Sequence, residues 1–301
     1  MVTKGNNNVF RILLGSLMVA LLVRLMYKPC KLSRENNSGT TREKANAMVD
    51  PPLQPVQRRH KFDAVSETLY RTAVSTPGLD ATKRQPFVLD DTWPQGTGGL
   101  DNNDRKTIGK LYYEASSVFE FGLGESTLIA AATQVPRYAG VDSAAEWVKS
   151  TRDKAAEQNR INHFTSMSHF RFYFSDIGAT KDWGFAKKNL AKNEYDYQVS
   201  ALMAEQEAFD VYLVNGRYRV ACACVSFLHA MKHGRDLDRL RVAVHDNDPE
   251  LQVNRQYNVL QEVADVVVKN KKLWVYQLKD TPGIEQDVYE LWERTRSKTW
   301  R

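Results

Sequence analysis

From about Gln85 onward, apolar runs of strand length alternate with stretches in which apolar residues recur every three to four positions. A period of two marks a strand and a period near 3.6 marks a helix. The pattern predicts a helix over 104–115, a short strand over 118–121, a helix over 126–133, a strand over 138–141, an amphipathic helix over 144–159 and a strand over 170–174. It continues with a strand over 209–214, a helix over 218–233, a strand over 240–244, a helix over 257–263 and a closing strand pair at 266–268 and 274–278. Strand–helix steps repeated in this way and closed by a hairpin predict an open, doubly wound α/β sheet. Right-handed crossovers in such a sheet gather ligand-binding groups at the carboxyl ends of the strands. Polar residues fall at those ends in sequence order: Glu120 to Gly124, Asp142, Asp176, Asn215 and then His245-Asp246.

The N-terminal part reads differently. Residues 12–23 form an uninterrupted run, ILLGSLMVALLV, bracketed by Arg11 and Arg24. With the arginines snorkelling, the segment extends over 9–27, near the length a helix needs to cross a bilayer. No small-residue cleavage site follows, so a retained signal anchor is expected behind a short tail at 1–8, with a single-pass Golgi or ER membrane location. The acid-poor, arginine-bearing start also suits mitochondrial or plastid targeting. Residues 28–85 are rich in Asn, Ser, Thr, Lys, Arg and Pro and read as a stem or linker, with a short helical stretch expected over 62–73. Asn36-Asn37-Ser38 is a glycosylation sequon, usable only if that stem is lumenal. The folded domain is then 86–301.

Charge supports this division. The chain carries a net +6, but residues 1–85 hold 14 Lys and Arg against 6 Asp and Glu, while residues 86–301 hold 28 against 30. A nucleic-acid-binding domain carries its basic patch on the folded part. The surplus here lies in the leader, where it suits a membrane surface, so nucleic acid is not an expected partner. Three cysteines make no disulfide framework, and Cys222 and Cys224 stand too close together for a CxxC metal or redox pair. On a helix they read as small buried hydrophobes.

The loop after the first strand runs Glu120-Phe121-Gly122-Leu123-Gly124-Glu125-Ser126-Thr127. Its two glycines let backbone approach a ligand at a helix N-terminus. A dinucleotide fingerprint has a third glycine where Thr127 stands. Asp142, 20 residues beyond Gly122, is placed to accept the hydroxyls of a ribose, a role compatible with capping the next helix. Glu120, an acid just before the first glycine, repels a pyrophosphate and suits a cationic ligand end.

The ordered segments VFEFGLGEST, GVDS with Trp147, SDIGATKDWGF, FDVYLVNGRYRVACA and VAVHD resemble the successive motifs of class I S-adenosylmethionine (SAM) methyltransferases. The likeness runs over roughly residues 100–280 and is nearest to a group with a DIG…WG segment and a VDGR segment. It implies a Rossmann-like, seven-stranded sheet and SAM as cofactor. Carried across, it implies that Glu120, Gly122, Gly124, Ser126 and Thr127 hold the methionine part, that Asp142 holds the ribose, and that Asp176 and Ile177 lie by the adenine. The chain departs from the pattern at Asn215, where the similar group has Asp. In metal-dependent O-methyltransferases that residue and an acid after the fifth strand help to hold a divalent cation. An uncharged Asn lowers affinity for a hard cation and cannot serve as a base, so a metal is disfavoured. His245 is then the candidate base, with Asp246 beside it, unless the pair simply caps its loop. Arg217 either orients an acidic group of the substrate or, together with Arg219, makes a salt-bridged pair at the sheet edge. Trp183, in the DIG…WG segment, either covers the ligand or packs.

The leading expectation is methyl transfer, to oxygen, on a small-molecule or glycan acceptor, since an anchor plus a stem is the layout of Golgi enzymes acting on glycans. An NAD(P)-dependent reductase or epimerase is the rival, but the Tyr-x-x-x-Lys pair that its proton transfer needs is not found near the fourth or fifth strand. A non-catalytic binding protein of the same fold, with Asn215 as its support, is the third reading.

Overall fold

The computed structural model describes residues 54–55, 69–73, 84, 86–91, 93, 99–161, 170–178, 193–247 and 252–298, all within the unit Pro51–Arg301. The elements, in chain order, are β1 (Gln54–Pro55), β2 (Leu69–Ala73), α1 (Asn102–Glu114), β3 (Ser117–Phe121), α2 (Glu125–Thr133), β4 (Arg137–Asp142), α3 (Ala145–Ile161) and β5 (Phe170–Ser175). A π-helical stretch, Asp196–Ser200, runs into the short α4 (Ala201–Met203). Then follow β6 (Val211–Val214), α5 (Arg219–Lys232), β7 (Arg241–Val244), a 3-10 helix (Gln252–Glu262), β8 (Ala264–Lys269), β9 (Trp274–Leu278) and α6 (Ile284–Thr295).

The strands form one sheet in the order β1-β2-β5-β4-β3-β6-β7-β9-β8. The five central strands β5, β4, β3, β6 and β7 are parallel. β9 runs antiparallel to β7, and β8 antiparallel to β9. These are the seven strands expected. The sheet has nine, because β2 pairs antiparallel with β5 and β1 with β2. Both extra strands fall in the stretch read as a linker, and β2 falls where a helix was expected; the remainder of 62–73 lies outside the described residues. The sequence Leu-Tyr-Arg-Thr-Ala has no apolar alternation to announce a strand, and its extended form rests on partners in β5 about 100 residues away.

The period-two pattern divides each central strand between two cores. Phe119, Phe121, Tyr212 and Val214 pack with α5, α6 and the 3-10 helix on one face. Val118, Val211 and Leu213 pack with Ile108 and Tyr112 of α1, Ile129 of α2 and Val148 of α3 on the other. Cys222 and Cys224 are fully buried in α5, and burial pushes both thiols up, consistent with their expected role as packing residues. α1 begins two residues before its expected start because Asp101 caps it, accepting from the amides of Asn103 and Asp104. No element is expected over 284–295. α6 nevertheless carries a helical stripe of Val288, Leu291, Trp292 and Thr295, all buried. The 9–27 segment lies outside the described residues. Among the described residues no helix is long and apolar enough to cross a membrane.

Candidate functional site at the strand carboxyl ends

The two turns that end β3 and β6 touch. Gly122 has φ +88°, and a Cβ there would sit 2.5 Å from the backbone of Gly216. A Cβ on Gly216 would in turn fall on the Tyr197 hydroxyl. The Gly122 amide donates to Val141 O (2.8 Å) and the Asn215 amide to Phe121 O (2.8 Å), so both turns are tied to the sheet. Gly124 differs: it is the N-cap of α2, its backbone is extended, and nothing lies within 4 Å of where a Cβ would be. The floor of the site is therefore closed at Gly122 and Gly216 and open at Gly124.

Glu120 is fully buried beneath this loop. The Tyr112 hydroxyl donates to its Oε1 (2.6 Å), and the hydroxyls of Tyr138 (2.6 Å) and Thr127 (2.7 Å) donate to its Oε2. Burial raises its pKa, with the three hydroxyls and Ser126 opposing. Its hydrogen bonds thus run inward, and its charge acts on the loop from below. Thr127 serves twice, since its Oγ1 also accepts from the Gly124 amide (3.1 Å). Ser126 is buried alongside.

Sequence reasoning missed the cluster behind the loop. Glu125, the first residue of α2, accepts from Arg105 Nε (2.5 Å) and from Trp93 Nε1 (2.8 Å), all buried. These partners lie 20 and 32 residues upstream, where no local pattern connects them.

Asp142 ends β4. Its Oδ2 accepts from the Leu123 amide (3.0 Å), and its Oδ1 from the amides of Ser143 (2.6 Å) and Ala144 (3.2 Å). Burial pushes its pKa up to about 6 against those three donors. Trp147 Nε1 donates to Leu123 O (2.7 Å), so the loop residue between the glycines is held at both its amide and its carbonyl. Asp176, at the end of β5, accepts from the Gly178 amide (2.7 Å), and Ile177 is fully buried. Trp183 lies outside the described residues.

At the ends of β6 and β7 stands the candidate base, His245. His245 is 1% exposed. Its Nδ1 lies 3.0 Å from Asn215 Oδ1 and 3.3 Å from Asp246 Oδ1, and its Nε2 lies 3.2 Å from Asp104 Oδ2. Burial works against the ring's charge, but the hydrogen bonds to Asp104 and Asp246 outweigh it and hold the pKa above the usual histidine value. Side-chain oxygens at both nitrogens favour the protonated ring, and they tie His245 to Asp104, Asn215 and Asp246 in one cluster. Asp104, fully buried on α1, was not anticipated; it also faces Asn270 Nδ2 at 3.3 Å.

Asp246 has a left-handed backbone (φ +58°) and accepts from Arg219 Nη2 (2.6 Å). Burial opposes its charge, but His245 and Arg219 hold its carboxyl well below the usual carboxylate range. Asp246 and Asn215 thus both bond within the protein, and among the described residues no group of three or more His, Cys, Asp or Glu gathers as a metal site. Arg219 also donates to the Tyr257 hydroxyl (3.2 Å), and is salt-bridged to Asp246. Arg217 is half-buried, and its electrostatic neighbours are Arg219, Tyr197, Asp142 and Tyr257.

No family model and no curated protein matches the chain. Among solved structures it is similar to a methyltransferase-like protein from Silicibacter pomeroyi, with 22% identity, a TM-score of 0.52, and coverage of 66% of this chain and 96% of that one. It is also matched, at TM-scores of 0.39 and 0.36, by an O-methyltransferase from Bacillus cereus in complex with S-adenosylhomocysteine (SAH; 15% identity, 62% of this chain, 84% of that one) and by an SAH-bound methyltransferase from Podospora anserina (10% identity, 60% and 83%). The first likeness establishes the fold as that of a methyltransferase-like protein.

Proposed function

We propose that this protein is a SAM-dependent methyltransferase that delivers the methyl group to an oxygen of a small-molecule or glycan acceptor. The observation that carries the reading is the sheet order. A dinucleotide-binding sheet continues in parallel past its fifth strand. Here β9 enters antiparallel beside β7, with β8 outside it. The loop chemistry agrees: the Gly124 amide, which a pyrophosphate would need, is already given to Thr127, and the buried Glu120 disfavours an anion above it.

SAM would supply an electrophilic methyl on a sulfonium. The chain's own part is positioning, which is most of what such a transfer needs. Asp142 accepts from the ribose hydroxyls, the open face at Gly124 takes the methionine part, and Ile177 and Asp176 border the adenine. Glu120 favours the cationic end through its field, with Ser126 and Thr127 fixing the loop. Asn215 and Arg217 face the acceptor, Arg217 orienting an acidic group. His245 and Asp246 hold the β7 end in place. Segment 9–27 anchors the protein to a Golgi or ER membrane, or directs it to a mitochondrion or plastid.

Calorimetric titration of the full chain with SAH and with NADH tests this. Micromolar SAH binding that weakens about tenfold or more in Asp142→Ala is expected, in line with a lost pair of charge-assisted hydrogen bonds. Binding of NADH in preference to SAH, or of neither by folded protein, would refute it.

A further inference from the structure

Among the buried tyrosines, Tyr197 has no part in the reading above, yet its hydroxyl reaches the point where the two glycine turns meet. It sits in the π-helical stretch Asp196–Ser200, 1% exposed, with its ring between Phe121 (6.2 Å between centroids) and Tyr218 (6.1 Å). The wider π turn is a feature that recurs at functional sites. The Arg217 amide donates to Tyr197 Oη (3.3 Å), and that oxygen occupies the space a Gly216 side chain would need. A Cβ on Gly216 would also lie 2.9 Å from the Gly122 nitrogen. The hydroxyl and the glycine loop thus close together on the turn that carries Asn215 and Arg217. Burial, with Asp142 nearby, keeps the phenol protonated across the working pH range.

We propose that Tyr197 is a positioning residue, its hydroxyl bracing the Asn215–Tyr218 turn against the glycine loop so that the acceptor side and the cofactor side of the site are held in register. Its effect on cofactor affinity rests on the methyltransferase reading; the brace itself does not. Glycine at 216 follows directly, because a side chain there overlaps the Tyr197 hydroxyl first and crowds the Gly122 backbone as well.

The test is a double-mutant cycle in the full chain, read by SAH calorimetry and by thermal unfolding. Gly216→Ala is expected to weaken SAH binding about tenfold or more, Tyr197→Phe about two- to fivefold, and the double variant to bind at least about fivefold tighter than Gly216→Ala alone, the coupling expected of residues in contact. Tyr212→Phe is the control. Its hydroxyl faces the Phe209 amide and His229 near the start of β6, so its loss lowers stability without changing SAH affinity. Effects that simply multiply, or an equal SAH defect in Tyr212→Phe, would overturn the proposal. If the wild-type chain binds no SAH, the methyltransferase reading fails, and the same cycle in unfolding midpoints decides the brace: losses smaller than additive support it and additive losses refute it.

Discussion

Both ring nitrogens of His245 face side-chain oxygens, and this gives its stability contribution a definite pH dependence. Its folded pKa lies above the ordinary value of 6.5. The stabilisation is therefore fully present below pH 6.5 and is lost as pH rises through the folded pKa. His245→Asn should cost roughly 3–5 kcal/mol, the usual cost of stranding the partners of a buried ion pair, and should flatten the decline in stability on the alkaline side. Urea unfolding between pH 6 and 9 checks both; a variant with the wild-type slope would disprove the assignment. Asp142 behaves in the opposite sense toward ligand. With its pKa near 6, SAH affinity should fall as pH drops below that value, and Asp142→Asn should remove the dependence along with most of the affinity. The strand-end residues Asp142, Asn215 and His245 were legible in the sequence because each follows an apolar run. Asp104 was not, since it meets His245 across 141 residues and sits on a helix whose pattern says only which face is apolar. The inward turn of Glu120 was equally hidden, because its donors Tyr112 and Tyr138 read as ordinary core aromatics.

At the scale of elements, the β3–α2 turn separates two glycines that look alike in sequence. Gly122 combines φ +88° with backbone contact to Gly216, whereas Gly124 is extended and faces open space. Gly122→Ala should destabilise the fold by about 2 kcal/mol or more through left-handed strain and the displaced β6 turn. Gly124→Ala should leave stability within about 0.5 kcal/mol, as at an unstrained surface position, yet weaken SAH binding, because its methyl would enter the space proposed for the cofactor. Thermal unfolding beside calorimetry separates the two, and equal destabilisation would contradict the geometry. Central strands were legible because burial on both faces leaves continuous apolar runs, as in Val-Tyr-Leu-Val of β6. β2 was not, because its extended form rests on pairing with β1 and β5 rather than on a local apolar pattern. α6 carries a readable stripe at residues 288, 291, 292 and 295, beyond the closing hairpin that completes the expected sheet.

For the molecule as a whole, the charge division carries the last prediction. The leader combines a surplus of basic residues with the apolar run 12–23, while residues 86–301 are slightly acidic. A domain of that charge has little attraction for an anionic membrane surface, so we propose that membrane association comes through the leader, by insertion of the 9–27 segment. The full chain should then remain in the membrane pellet after alkaline carbonate washing, which strips proteins held by charge alone. A chain starting at Lys28 should be released while keeping its SAH affinity, because the sheet begins with β1 at Gln54. Release of the full chain by carbonate would exclude a spanning anchor and favour a leader that addresses an organelle and is removed. Retention of the shortened chain would instead place the membrane contact on the folded part, against its charge. Cutting further, to Pro86, deletes β1 and β2 and exposes the β5 edge; that form should aggregate or lose stability, since an unpaired edge strand invites association.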